Sequence, residues 1–178
     1  MNPFDLSNKV ICVTGASSGI GRQCAVSCSR MWATVVLLAR NEQRLHETLS
    51  IMDNPDKHVI IPVDLTEYAT VELVVKNIVS QVGRISGVLH CAGISTTLPL
   101  KLVTPEKLAE FFQANVFSAY NLTREVCKMG NFSKEGGSIV FFSSVMGKVG
   151  ENGKSLYGMT KGALVSGTRS LACELAKK

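Results

Sequence analysis

Short apolar runs alternate along this chain with longer segments whose apolar residues recur at helical spacing. The runs lack polar alternation, which is typical of strands buried on both faces of a parallel sheet. Strands are predicted at residues 9–14, 34–39, 58–63, 87–91 and 138–143, and helices at 19–30, 42–52, 66–82, 105–129 and 155–177. Because a helix follows each strand, the pattern predicts an α/β fold with a doubly wound parallel sheet flanked by helices.

Length and composition indicate one folded domain. The 178 residues are enough to bury a hydrophobic core, and 46% of them are hydrophobic whereas 19% are charged. No repeat, low-complexity segment or linker divides the chain. The net charge of +5 is spread along the sequence, so nucleic-acid binding is not expected.

The apolar runs and the cysteines indicate the cellular compartment of the protein. No run is long enough to cross a bilayer, and the first nine residues lack the apolar region of a signal peptide. The six cysteines form no CxxC pair, and Cys24 and Cys28 share a helix face without a neighbouring histidine to complete a metal site. We therefore expect a cytoplasmic protein with reduced, mostly buried thiols, no metal and no membrane association.

A glycine-rich turn joins the first predicted strand to the first predicted helix. Gly15 lets the chain leave the strand sharply, Gly19 lets the backbone approach a pyrophosphate, and Gly21 lets the helix pack closely on the sheet. The N–H groups at the start of the helix would face the phosphates, with Ser17 and Ser18 as hydroxyl donors. This placement predicts dinucleotide binding through Gly15, Ser17, Ser18, Gly19, Ile20 and Gly21.

With the preceding threonine, the turn reads TGxxxGIG and is similar to the coenzyme motif of the short-chain dehydrogenase/reductase family. The resemblance runs from about residue 9 to the end of the chain and implies a Rossmann-like sheet in the order 3-2-1-4-5. It also implies that the family's sixth and seventh strands are missing. Residues 1–178 are then expected to form a single NADP(H)-binding Rossmann domain that is incomplete at its C-terminus, with strand five as an exposed edge.

The end of the second predicted strand decides between the two nicotinamide coenzymes. An acidic residue there would hold the ribose 2′-OH of NAD(H), but the chain has Ala39 followed by Arg40. A guanidinium can bind a 2′-phosphate through charge-assisted hydrogen bonds worth about 1.5–3 kcal/mol each. NADP(H) is therefore favoured over NAD(H). The alternative is that Arg40 is a solvated loop residue, which the neighbouring Ala39 disfavours. Ser18, which stands where some NADP-dependent relatives carry a base, counts against NADP(H).

Two further segments resemble parts of the family's coenzyme site. Asp64, at the end of the third predicted strand, resembles the aspartate near the adenine ring, and its alternative role is the N-cap of the next helix. The segment 90–93 resembles the family's NNAG sequence, with His90 and Cys91 in place of the asparagines. Ala92 and Gly93 keep the small profile that lets a coenzyme lie against the backbone, and His90 is expected in the core.

The candidate catalytic residues lie in the second half of the chain. Tyr157 and Lys161 form a YxxxK sequence whose side chains share one helix face. Ser144 stands thirteen residues before the tyrosine, which is the family's serine–tyrosine spacing, and Asn115 falls where the family has its fourth catalytic residue. The resemblance implies that Tyr157 exchanges a proton with the substrate oxygen and that Lys161 favours the phenolate and binds the nicotinamide ribose. Ser144 would orient the carbonyl, and Asn115 would hold a water for proton relay.

The resemblance implies an NADP(H)-dependent oxidoreductase that transfers a hydride between the nicotinamide and a ketone or secondary alcohol, with a 3-oxoacyl thioester as a candidate substrate. Two other readings are a non-catalytic NADP(H)-binding regulatory protein and a structural protein. Members of the family commonly dimerise through the equivalent helices, and helix 155–177 carries more apolar residues than packing on one face of the sheet needs. Both features predict a homodimer or homotetramer through helices 105–129 and 155–177.

Overall fold

The computed structural model describes residues 4–176. Its five strands form one parallel sheet in the order β3-β2-β1-β4-β5. This result confirms both the predicted doubly wound architecture and the strand order. The strands are β1 (Val10–Thr14), β2 (Thr34–Ala39), β3 (Val59–Pro62), β4 (Gly87–His90) and β5 (Ser138–Phe141).

Helices connect the strands. They are α1 (Gly19–Arg30), α2 (Glu42–Leu49), α3 (Tyr68–Val82), α4 (Pro105–Phe112), α5 (Ser118–Val126) and α6 (Ser155–Leu175). A π-helical segment, Gln113–Phe117, joins α4 to α5, so that the three form one continuous helical rod. Short 3₁₀ turns lie at Pro55–Lys57, Leu100–Leu102 and Val145–Gly147.

The core consists of two apolar layers, one on each face of the sheet. On one face Val36, Leu38 and Val88 pack with residues of α3 and α5, and on the other Val35 and Leu37 pack with residues of α1 and α2. Successive residues of β2 alternate between the layers, as the period of two in a strand requires. The central strand β2, which lacks polar alternation, thus buries both of its faces.

The sequence pattern overestimated the burial of the edge strands. Residues of β5 alternate between exposed and half-buried, and β3 is half-buried along most of its length. Both strands lie at the edges of the sheet, where one neighbour is absent. The pattern also overestimated the thiols' burial, since only Cys12 is fully buried and Cys173 is exposed.

Several predicted boundaries were also wrong by a few residues. The predicted helix 42–52 ends at Leu49, and farther on Asn54 takes a positive φ of 55° before a proline, so the chain cannot resume an α-helix there. The predicted helix 105–129 contains the π segment and ends at Val126. The last helix is described to Leu175, and residue 177 lies outside the described residues. Within 4–176, no helix is long and apolar enough to cross a membrane, and no group of acidic, histidine and cysteine side chains could hold a metal ion.

His90 lies in the core, as predicted, and is buried at the end of β4. Its Nε2 lies 2.9 Å from the Thr123 hydroxyl, which itself donates to the Ala119 carbonyl and therefore accepts from the ring. The ring stacks on Phe141, and Nδ1 has no partner among the described residues. Burial lowers the pKa of His90 to about 3, because the protonated ring would carry its charge in the core. The protonated ring would also have an N–H at Nδ1 without an acceptor among the described residues.

Acidification is therefore expected to destabilise the fold. The unfolded chain takes up a proton at His90 near pH 6.5 whereas the folded chain does so near 3, so the free energy of unfolding falls as the pH drops through this window. The slope for one proton is about 1.4 kcal/mol per pH unit; His58, whose pKa burial also lowers, adds in the same direction. Urea denaturation between pH 7 and 5 measures the slope, and His90→Gln should reduce it. An unchanged slope in that variant would contradict the role of His90.

Candidate coenzyme and catalytic site

The turn between β1 and α1 leaves room only for glycine at two positions. Gly15 has a φ of +65°, and a Cβ on it would lie 2.9 Å from Ala92 Cα. A Cβ on Gly21 would lie 2.3 Å from the Gly15 carbonyl oxygen. The turn, the first turn of α1 and the loop after β4 are therefore in backbone contact, as a phosphate-binding turn requires.

The first turn of α1 is free to bind an anion. Ser18 is the N-cap of α1, but its side chain makes no capping hydrogen bond. Neither Ser17 nor Ser18 donates its backbone N–H to an acceptor within residues 4–176. These N–H groups, the uncapped helix end and its positive dipole together suit a pyrophosphate.

A cleft of about 900 Å³ lies at the carboxyl ends of the strands. It occupies the point where the chain order of the sheet reverses, between β1 and β4, which is where ligands bind in doubly wound folds. The structure brings ten predicted coenzyme-binding residues together on its walls: Gly15, Ser17, Ser18, Gly19, Ile20, Gly21, Arg40, Asp64, Ala92 and Gly93. The size of the cleft and its unpartnered donors fit a dinucleotide.

Charged residues gather at the end of the cleft formed by β2 and β3. Arg40 NH1 lies 3.8 Å from Asp64 Oδ2, and Arg40 is largely exposed. Burial alone would raise the pKa of Asp64, but hydrogen bonds from Thr66 and the charge of Arg40 outweigh it, so this pKa lies below its ordinary value. Asp64 binds the backbone N–H of Thr66 and does not cap α3, whose N-cap is Glu67. Arg44, which the sequence reasoning did not single out, lines the same cleft.

The loop after β4 is bonded to β1 and packs against the margin of the core. Thr14 Oγ1 accepts from the Ala92 N–H at 3.0 Å, which ties the loop to β1. Cys91 lines the cleft and packs with Cys24 and Cys28 at the margin of the core. Burial, with the two neighbouring thiols, raises the pKa of Cys91 to about 12, so it is present as the thiol at neutral pH.

Asn115 lies in the π segment and is buried. Its amide group accepts from the Ile94 N–H at 2.7 Å and donates to the Ile94 carbonyl at 2.9 Å and to Thr160 Oγ1 at 3.0 Å. A Cβ on Gly93 would lie 3.0 Å from Asn115 Oδ1 and 3.7 Å from Lys161 Nζ. Asn115 thus joins the loop after β4 to α6 beside the predicted catalytic lysine.

Lys161 projects from α6 into this region. It is only 7% exposed, its Nζ donates to the Phe142 carbonyl at 2.7 Å, and it lies 5.7 Å from the centre of the Tyr157 ring. Burial lowers the pKa of the Lys161 ammonium group. Removal of solvent also strengthens the field of this charge at nearby groups.

Ser144 reaches the same region from the end of β5. It caps the turn Val145–Gly147, accepting from the Met146 N–H at 3.2 Å, while its own hydroxyl proton has no acceptor within residues 4–176. This turn lies against the backbone of α6, because a Cβ on Gly158 would meet the Met146 carbonyl oxygen at 2.8 Å. The predicted residues Asn115, Ser144, Tyr157 and Lys161 therefore lie on three segments: α6, and the π segment and the turn Val145–Gly147, each of which contacts α6.

The fold and the cleft define a doubly wound protein of the dinucleotide-binding class. Comparison with known sequences gives its family. The sequence model described as short chain dehydrogenase matches residues 9–178. The chain therefore belongs to the short-chain dehydrogenase family, whose members are oxidoreductases that use nicotinamide coenzymes and act on small molecules.

The similar proteins include an uncharacterized oxidoreductase of Staphylococcus epidermidis. It is 30% identical over 172 residues, a match that covers 97% of this chain and 74% of that protein. A 3-oxoacyl-(acyl-carrier-protein) reductase of Vibrio cholerae is 28% identical over 175 residues, covering 98% of this chain and 70% of the reductase.

Solved structures agree with these sequence matches. A short-chain dehydrogenase from Streptomyces avermitilis superposes with a TM-score of 0.88 at 31% identity, covering 95% of this chain and 61% of that one. An actinorhodin polyketide ketoreductase with NADPH superposes with a TM-score of 0.88 at 27% identity, covering 94% of this chain and 65% of the ketoreductase. The chain thus spans less than two thirds of the length of these two structures.

Proposed function

We propose that this protein is an NADP(H)-dependent oxidoreductase that interconverts a ketone and a secondary alcohol. The observation that carries the coenzyme assignment is the position of Arg40 and Arg44 in the same cleft as the free first turn of α1. The two arginines are four residues apart, and the Arg44 side chain has no acidic partner within residues 4–176. Together they give the 2′-phosphate end of the cleft a positive charge.

The proposed chemistry divides between the coenzyme and four side chains. The nicotinamide, when bound, supplies or accepts the hydride. Tyr157 donates a proton to the carbonyl oxygen of the substrate, and the charge of Lys161 favours the resulting phenolate. Ser144, whose hydroxyl proton has no acceptor within residues 4–176, donates a hydrogen bond to the same oxygen and stabilises the charge that develops there. Asn115 fixes the loop and α6 around this point.

We include a 3-oxoacyl thioester as the first substrate to test. It is supported by the names of two similar proteins, the Vibrio cholerae reductase and the actinorhodin polyketide ketoreductase. The experiment follows NADPH absorbance with a panel of simple ketones, 3-oxoacyl thioesters and secondary alcohols. NADPH binding without turnover of any compound would favour the alternative of a non-catalytic coenzyme-binding regulator, and absence of binding would favour a structural protein.

Replacement of Arg40 by alanine tests the coenzyme preference. Arg40→Ala removes a charge-assisted contact to the 2′-phosphate, so the Kd of NADPH should rise about ten- to a hundredfold while that of NADH changes little. Fluorescence titration with both coenzymes measures the ratio. Arg169→Ala, at an exposed position on α6, is the matched control. Equal losses for the two coenzymes would show that Arg40 does not bind the 2′-phosphate.

The proposal also includes a cytoplasmic homodimer or homotetramer. The helical rod and α6 expose large apolar side chains at Phe117, Tyr120 and Met159, and such side chains are common in subunit interfaces. Light scattering at micromolar concentration should give the mass of a dimer or tetramer. A monomer would count against the assembly, and cell fractionation tests the location.

A further inference from the structure

Two side chains outside the cleft bind consecutive carbonyl groups of the phosphate-binding turn. Thr48, which is fully buried on α2, donates its hydroxyl to the Ala16 carbonyl oxygen at 2.8 Å. Arg22, on the second turn of α1, donates an NH2 hydrogen to the Ser17 carbonyl oxygen at 2.8 Å. Neither Arg22 nor Thr48 was predicted from the sequence to take part in coenzyme binding.

The two side chains are also bonded to each other. Arg22 Nε donates to Thr48 Oγ1 at 3.0 Å, and a guanidinium NH2 donates to Glu47 Oε2 at 3.0 Å. The hydroxyl of Thr48 therefore accepts from Arg22, and its single proton lies between the carbonyl oxygens of Ala16, at 2.8 Å, and Arg44, at 3.1 Å. This arrangement needs a donor and an acceptor in one small side chain, which a hydroxyl supplies.

The bonded carbonyls fix the orientation of the peptide groups that follow them. In a trans peptide the C=O of one residue and the N–H of the next point in opposite directions, and the described residues contain no cis bond. With the Ala16 and Ser17 carbonyls held by Thr48 and Arg22, the N–H groups of Ser17 and Ser18 face away from these side chains. Ser17 and Ser18 both line the cleft, and their N–H groups have no protein acceptor within residues 4–176.

We propose that Arg22 and Thr48 are positioning residues for the coenzyme: they hold two peptide planes of the turn so that the N–H groups of Ser17 and Ser18 are presented to the pyrophosphate. This inference rests on the proposed coenzyme function. Because Glu47 and Thr48 belong to α2, which begins two residues after Arg40, the same bonds join the pyrophosphate end of the cleft to its 2′-phosphate end.

The first test replaces the hydroxyl of Thr48 by a methyl group of similar size. Thr48→Val should raise the Kd of NADPH and of NADH by the same factor, about five- to tenfold, leaving their ratio and the kcat at saturating coenzyme unchanged. Thr48→Ser, which keeps the hydroxyl, should restore binding. The matched control is Thr70→Val, which removes an exposed hydroxyl that donates to the Glu67 carbonyl.

The second test separates geometry from charge and does not depend on the buried threonine. Arg22→Lys keeps the positive charge but cannot donate to Ser17, Thr48 and Glu47 from two separate nitrogens, so it should weaken both coenzymes about as much as Arg22→Gln does. If Arg22→Lys bound both coenzymes with the parental Kd, the positive charge of residue 22 would be what supports coenzyme binding, and the positioning role would be wrong. Melting temperatures are recorded for every variant, and all titrations are made well below them.

The outcomes distinguish this inference from the proposed function. A Thr48→Val protein that melts at a lower temperature but binds both coenzymes with the parental Kd would show that the bonds are purely structural. A change in the ratio of NADPH to NADH affinity would show that the bonds act on the 2′-phosphate rather than on the turn. If the parent protein binds neither coenzyme, both the proposed function and this inference are wrong.

Discussion

Tyr157→Phe is expected to reduce kcat at least about a hundredfold, the usual contribution of a positioned proton donor. The substitution removes the phenolic proton and keeps the ring, so Lys161 retains its neighbour at 5.7 Å and the Phe142 carbonyl retains its hydrogen bond. NADPH binding should therefore survive within about twofold, because the contacts of the turn and of Arg40 are untouched. Steady-state kinetics with the best substrate of the panel, together with coenzyme titration, measure the two effects separately.

The matched control for this variant is Tyr68→Phe. Tyr68 opens α3 and is 40% exposed, and it lies outside the cleft, so removal of its hydroxyl should leave both kcat and the Kd of NADPH unchanged. A Tyr157→Phe protein that keeps more than about a tenth of the parental kcat would rule out Tyr157 as the proton donor. Loss of NADPH binding in the same protein would indicate instead that the phenol supports the coenzyme site.

The parallel sheet and the position of the cleft could be predicted because they follow from local signals, whereas the order of the strands was predicted only from the resemblance to the family. Each of these signals occupies a few consecutive residues: the strands without polar alternation, the turn with glycines at 15, 19 and 21, and the alanine–arginine pair at the end of β2. A doubly wound topology then brings the carboxyl ends of neighbouring strands together. This is why ten residues singled out from the sequence line one cleft.

The parts of the site that were missed depend on contacts between residues far apart in the chain. Thr48 binds Ala16 across 32 positions, and no spacing in the sequence relates the two. The π segment around Asn115 was read as ordinary helix, because its apolar pattern continues that of α4. Asn115 bonds Ile94 and Thr160, which lie 21 and 45 positions away, and only the folded chain reveals these contacts.

Gly21→Ala is expected to have the largest effect on the coenzyme site without touching a polar group. The added Cβ would lie 2.3 Å from the Gly15 carbonyl oxygen and 2.6 Å from its carbon, and both are backbone atoms that cannot rotate away. The turn must therefore move off the helix, at a cost of about 1–3 kcal/mol in the free energy of unfolding. Since the same movement misplaces the N–H groups at the start of α1, the Kd of NADPH should rise about a hundredfold.

Gly167→Ala is the control for this change, because it makes the same substitution within a helix. Apart from its chain neighbours and the backbone of α6 itself, no heavy atom of residues 4–176 lies within 4 Å of the Cβ position at Gly167. The alanine should therefore stabilise α6 by about 0.5–1 kcal/mol through its higher helix propensity and leave NADPH binding unchanged. Urea denaturation and coenzyme titration are made on both variants. If Gly21→Ala bound NADPH as the parent does, the close contact between helix and turn would not be what forms the phosphate site, and the glycine at this position would serve packing alone.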